Sequence, residues 1–316
     1  MRRFWFESLR ALRYLVVVVT KTCAVVAAIW ASGCATAETP GADNLDAART
    51  IDARGSSVDA APRQPDAATS VDAPPPQPAP KKLIITEVVL APTAGEFIEI
   101  ANPNSVAIAL DNYYLTDSQK YPTLPAGSLT VDAADTLIRF PADAVLAPGA
   151  VATVAFDTAA NFEITYGVAP TYSIASGTMR IVAQNGTASL TNGGEMVALL
   201  WWDGASDLLK DCDALNVGVP SAGNLLPNKT NVAVDGPDVG TMTSTYAPDA
   251  MSMVNMTAAP GSLLSIKRLK FDAGYQIADA TGNGITGDDE TSEILSQTWS
   301  TTFTAPTPGG LPFTLP

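Results

Sequence analysis

Histidine is absent from all 316 residues. The commonest general base at neutral pH and the commonest zinc ligand are therefore missing, which excludes Ser-His-Asp, Cys-His and His-metal chemistry. Cysteine is almost as scarce. Of three, Cys23 and Cys34 fall near the N-terminus and only Cys212 remains downstream. A lone thiol there forms no internal disulfide, and without a histidine to activate it Cys212 is a poor nucleophile. Charge is sparse, at 16% of residues, and lopsided, with 32 acids against 18 bases and a net charge of −14. Phosphate backbones are bound through clustered Lys and Arg, so nucleic acid is not an expected partner. Cations, basic proteins or solubility suit this balance better. Apolar residues reach 47%, enough for a core, so the folded surface must be built from Ser, Thr, Asn and Ala.

The N-terminus departs from this texture. Residues 1–13 carry Arg2, Arg3, Arg10 and Arg13 and lead into an apolar run, 14–30, interrupted by Lys21. A basic stretch followed by a short apolar one is the pattern of an export signal, and Lys21 counts against a permanent membrane span. The run ends in Ala31-Ser32-Gly33-Cys34, two small residues before a cysteine. This resembles a bacterial lipobox, with Ala31 where leucine is more usual. The resemblance implies cleavage after Gly33, a diacylglycerol on the sulfur of Cys34 and an acylated amino group, which together anchor a chain durably. Ala35, in place of aspartate, is compatible with sorting to the outer membrane. A plain secretory signal and an N-terminal membrane anchor are the alternatives. The expectation is a signal peptide over 1–33 and a cell-envelope protein whose membrane partner is reached through lipidated Cys34.

Residues 35–80 are Ala, Asp, Pro, Thr and Ser with almost no large apolar side chain, and cannot bury a core. Asp52, Asp59, Asp66 and Asp72 recur at spacings of seven, seven and six, each followed by alanine. With proline throughout, this is no coiled coil. It reads as a disordered acidic linker over 34–80, stiffened towards Pro74-Pro75-Pro76.

From residue 81 the pattern changes to short β-branched and aromatic runs separated by Gly, Pro, Asn and Asp. Strands are expected at 83–90, 96–100, 106–110, 113–115, 136–140, 150–156, 179–183, 187–190, 196–202, 263–269 and 299–303. No amphipathic helix of ordinary length separates them, which disfavours a parallel α/β sheet and predicts an all-β antiparallel sandwich over 81–316.

The order of motifs within this region is specific. Glu96-Phe97-Ile98-Glu99-Ile100-Ala101-Asn102-Pro103 is followed by Ala109-Leu110-Asp111-Asn112-Tyr113-Tyr114-Leu115-Thr116-Asp117, by a proline-glycine hairpin over 139–149, by Leu190-Thr191-Asn192-Gly193-Gly194-Glu195, and by the exit Thr307-Pro308-Gly309. Together they resemble the lamin-tail domain, with Asn112 and Tyr113 standing where that family usually has Gly and Trp. The resemblance implies an immunoglobulin-like sandwich used for binding or tethering, in bacteria as part of exported proteins, and implies no reaction. Residues 205–260 have no counterpart in it and are expected to be an insertion.

Three local features invite sharper readings. Asp279, Thr281, Asn283 and Glu290 place oxygen side chains at positions one, three, five and twelve of a loop with Gly284 at six, a spacing that suits calcium. An ordinary solvated turn fits as well, so no cofactor is required and calcium is the one that is possible. Trp201-Trp202 could form an aromatic platform, but neighbours in a strand face opposite ways, which favours core packing for one ring. Glu87, Glu96 and Glu99 could pair for glycoside hydrolysis, but no sugar cleft is evident and the lamin-tail family carries acids there structurally. The expected function is a non-enzymatic adhesion or scaffold module of the envelope, binding a surface protein or polysaccharide. The alternative is an accessory or substrate-binding subunit of an exported hydrolytic system.

Overall fold

The computed structural model describes residues 83–248, 259–270, 284–285 and 298–315. All belong to the second of the two units, Met1–Ala68 and Thr69–Pro316, into which the chain divides. The expected signal peptide, Cys34 and the linker lie outside the described residues. No helix among the described residues is long and apolar enough to cross a membrane.

In chain order the strands are β1 (Ile84–Val89), β2 (Phe97–Ala101), β3 (Ile108–Ala109), β4 (Tyr113–Thr116), β5 (Thr136–Arg139), β6 (Val145–Leu146) and β7 (Val151–Ala155). After one α-helix, α1 (Ala159–Tyr166), come β8 (Tyr172–Ser173), β9 (Arg180–Gln184), β10 (Gly194–Trp201), β11 (Lys210–Gly218), β12 (Ala233–Val234), β13 (Ser244–Thr245) and β14 (Ile266–Lys267). They build two five-stranded sheets, β14-β1-β2-β7-β8 and β11-β10-β4-β5-β9, with two small ribbons, β12-β13 and β3-β6. Pairing within the two large sheets is antiparallel except for β7 with β8.

The sheets face each other across one apolar core. Ile85, Val88, Ile98, Ile100 and Val154 enter it from the first sheet, and Leu115, Ile138, Val197, Leu199, Leu215 and Val217 from the second. Full burial of each such side chain contributes roughly 1.5–3 kcal/mol. This is an all-β sandwich, as the strand pattern implies, and an immunoglobulin-like one, as the lamin-tail resemblance implies. The outer faces are covered too, which explains why β1 is buried at all six positions instead of alternating. On the first sheet Val89, Phe97 and Ala155 lie beneath Phe162 and Tyr166 of α1. On the second, Met196, Ala198 and Leu200 lie beneath Tyr121, Leu124 and Leu226.

The largest departure from expectation concerns the segment 205–260. Its first part, β11, pairs along the whole of β10, from Gly194 opposite Gly218 to Trp201 opposite Lys210. Cys212, Leu215 and Val217 belong to the central core, so this stretch is an integral strand rather than part of an insertion. The two strands approach so closely at Gly194 that a Cβ there would lie 2.4 Å from the backbone of Val219. Asp213 of β11 also joins the sheets: Ile85 N–H donates to its Oδ2 at 2.6 Å, and Arg268 forms a wholly buried ion pair with it. Arg268 Nε–H donates to Ile85 O at 2.7 Å, and its guanidinium stacks 4.9 Å from the Trp299 ring.

Smaller departures have local causes. Residues 187–190 form no strand, although Ala188 and Leu190 are buried in the core. Residues 263–269 contract to β14, and 299–303 contribute only the isolated bridge of Trp299 to Arg268, with Thr304 just beyond them bridging to Ser265. The helix α1 is short and buries only Phe162; the Thr158 side chain caps it by accepting from Asn161 N–H, and left-handed Gly167 closes it.

Candidate functional site

The acids singled out in the sequence are buried and bound to backbone. Glu87 and Glu99 face each other across β1 and β2 on the outer side of the first sheet. The Thr307-Pro308-Gly309 exit docks on both: Thr307 N–H donates to Glu87 Oε1 at 3.0 Å, and Gly309 N–H to Glu99 Oε2 at 2.6 Å. Thr86 O–H donates to Glu99 Oε1 at 2.9 Å, and Lys267 Nζ stands 3.6 Å from Glu87. Glu96 accepts from Leu190 N–H at 2.9 Å, which ties the start of β2 to the chain entering β10. Burial pushes the carboxyls of Glu96 and Glu99 up to about 7, against the pull of these N–H donors. Such values suit a general acid, but all three side chains are sealed from solvent, and their partners are structural.

A second group lies where β4 ends and β10 begins. Glu195 accepts from Asn224 Nδ2–H at 2.8 Å and Thr191 N–H at 3.2 Å, and burial raises its carboxyl to about 7. Asp117 accepts from Thr136 N–H at 2.7 Å, and burial, with repulsion from Glu195 and Asp135, holds it well above the usual carboxylate range. One oxygen each of Asp117 and Asp135 has no hydrogen-bond partner. The acids of the Leu-Thr-Asp and Gly-Gly-Glu motifs therefore meet at one end of the sandwich.

Among the described residues, Asp207, Asp235 and Asp238 bring carboxylate oxygens within 4.8 Å of one another, a grouping sequence reading missed because the residues sit in separate turns. Asp207 is already engaged, accepting from Gly236 N–H at 2.8 Å and Ser244 O–H at 2.6 Å. These bonds close the turns around β12 and β13. The calcium candidates Asp279, Thr281, Asn283 and Glu290 lie outside the described residues.

Trp201 and Trp202 divide between the two faces of the second sheet. Trp201 packs on the central core and Trp202 on the outer cluster, 6.2 Å from the Tyr114 ring, with its indole N–H donating to Ser206 O at 2.7 Å. Neither forms an open platform.

An open groove of about 430 Å³ lies beside β9, lined by Leu129, Thr130, Val131 and residues 181–185. Ile181 and Val182 expose roughly half of their surface there. Val182 is the extra residue of a bulge, since Leu137 pairs with Ala183 and Ile138 with Ile181. The bulge blunts this sheet edge against indiscriminate pairing. The sequence shows Ile181 and Val182 only as an apolar pair; the place of β9 at a sheet edge exposes them. None of the lining side chains ionises.

Two facing sheets with acids locked inside and a neutral groove at one edge define an immunoglobulin-like domain. The motifs point to the same family that a model comparison finds: the family model of the Lamin Tail Domain matches residues 76–210, ending at the first residue of β11, so this part of the chain is similar to that domain. A solved structure of a DUF4876 family protein from Bacteroides thetaiotaomicron is similar at 14% identity over 70% of each chain, with a TM-score of 0.34, a likeness too low to carry an argument. No curated protein matches the chain.

Proposed function

We propose that this chain is a bacterial cell-envelope lipoprotein, anchored through Cys34, that displays its lamin-tail sandwich as a non-enzymatic binding module for a surface protein or polysaccharide. One observation carries the reading. The groove beside β9 has no side chain able to donate or accept a proton in catalysis, while the acids with raised pKa are buried and held by backbone N–H groups. Such a surface can bind but has no acid–base chemistry to offer.

The test is photocrosslinking on intact cells. A photoreactive residue at position 181 should capture a discrete partner, whereas the same residue at Ile164, 83% exposed on α1, should not. Equal capture from both positions, or none from either, contradicts the proposal. Hydrolysis of glycans or phosphoesters by the purified chain, abolished by Glu99→Gln, would contradict it from the other side.

A further inference from the structure

Asp211 and Lys229 form an ion pair whose two side chains are wholly buried. Asp211 belongs to β11, whereas Lys229 lies in the segment that folds back over the outer face of the second sheet. Leu226 of that segment joins Tyr121 and Leu200 in an apolar cluster. The Tyr121 hydroxyl donates to Asp211 Oδ2 at 2.7 Å, the same oxygen that Lys229 Nζ contacts, and Nζ lies 5.7 Å from the centroid of the Tyr121 ring. Asp211 Oδ1 is buried with no hydrogen-bond partner.

As a plain ion pair this arrangement is costly. Two charges are removed from water, and one carboxylate oxygen is left without a donor. The other buried pair is equally removed from water but differs elsewhere: Asp213 also accepts from a backbone N–H, and the guanidinium of Arg268 is not a nucleophile. At Asp211 an amine, a carboxyl and a hydroxyl able to relay a proton meet where solvent is excluded.

We propose that Lys229 and Asp211 are joined by an intramolecular isopeptide bond, formed within the folded chain. Lys229 Nζ first passes a proton to Asp211 Oδ2, giving a neutral amine beside a neutral acid, a transfer that removes both buried charges. The Nζ lone pair then adds to Cγ, forming the N–C bond as the carbonyl electrons move to Oδ1. The Tyr121 hydroxyl protonates Oδ2 and takes up the proton that nitrogen loses. Collapse of the adduct breaks the Cγ–Oδ2 bond and releases water. An ammonium and a carboxylate have become an amide and one water, with no oxidant, metal or cofactor consumed. Oδ1 remains as a neutral amide oxygen, for which a missing partner costs less than for a carboxylate. The bond ties the covering segment to β11, a staple that the single downstream cysteine cannot supply.

Mass spectrometry of the full chain, digested after folding, tests this directly. The expected result is a branched species in which the peptides carrying Asp211 and Lys229 are linked and together one water lighter than the free pair. Asp211→Asn should yield the same branched product by loss of ammonia, so that both chains converge on one mass. Lys229→Arg should give none, and Tyr121→Phe should slow its appearance. Two unlinked peptides of full sequence mass, after prolonged incubation of the folded wild-type chain, would overturn the proposal. Because that readout is on the wild type, a variant that fails to fold does not affect the outcome.

Discussion

Replacing Glu99 by glutamine should flatten part of the pH dependence of stability. Glu99 is wholly buried, and burial raises its carboxyl from 4.5 to about 7 in the folded chain. The neutral form is therefore favoured by folding, and the associated stability is fully present below pH 4.5 and is lost as pH rises through 7. The gap corresponds to roughly 3 kcal/mol. Glutamine cannot titrate, yet its carbonyl can accept from Gly309 N–H and its amide can donate to Thr86 Oγ1, so both observed contacts have counterparts. Urea unfolding of both chains from pH 4 to 8 should show the variant gaining on the wild type by roughly 3 kcal/mol between pH 4.5 and 7.5, then no further change. Glu96 and Glu195 titrate near the same pH, so the variant should itself still lose stability across this window, though less than the wild type. A difference between the chains that is constant with pH would refute the reasoning, because it would mean that Glu99 ionises as easily folded as unfolded.

Three further outcomes follow from the same contacts. Asn102→Ala removes donors to Val106 O, Leu146 O and Ala147 O at 2.8, 2.9 and 3.2 Å, and should cost roughly 2–4 kcal/mol in denaturant unfolding. Asp213→Ala strands the buried guanidinium of Arg268 and should cost roughly 3–5 kcal/mol, measured in the same way. A fragment covering residues 81–316 should unfold at the same urea midpoint as a chain that also carries 34–80, since the linker has almost no apolar side chain to bury. A lower midpoint for the fragment would show that the linker contributes to the fold.

The strands that carry the core were legible because their β-branched runs are local. Leu83 to Val89, Phe97 to Ala101 and Met196 to Trp201 declare themselves without reference to anything distant. The strand β11 did not, because Lys-Asp-Cys-Asp-Ala-Leu-Asn reads as a loop. Its aspartates are tolerable in a sheet only through Lys229 and Arg268, partners that lie far along the chain. The helix α1 was missed because it presents only Phe162 to the core and so lacks an amphipathic stripe, although Thr158 and Gly167 marked its ends. The acids Glu87, Glu96 and Glu99 stood out in the sequence, and the fold buries them against backbone N–H groups. Their task of holding the Thr-Pro-Gly exit and the residue before β10 could not be read until the chain closed on itself. The groove beside β9 depends on which strand ends up at an edge, which no window of sequence specifies.

Display of the sandwich through a lipid on Cys34 is tested most directly by fractionating cells that express the wild-type chain or Cys34→Ser and determining the mass of the mature N-terminus. The expected result is a wild-type chain in the membrane fraction that begins at a diacylglyceryl-modified, N-acylated Cys34, with the serine variant absent from that fraction or retained only as the uncleaved precursor. A wild-type chain beginning at an unmodified residue, or a serine variant that remains in the membrane with the same N-terminus as the wild type, would contradict it.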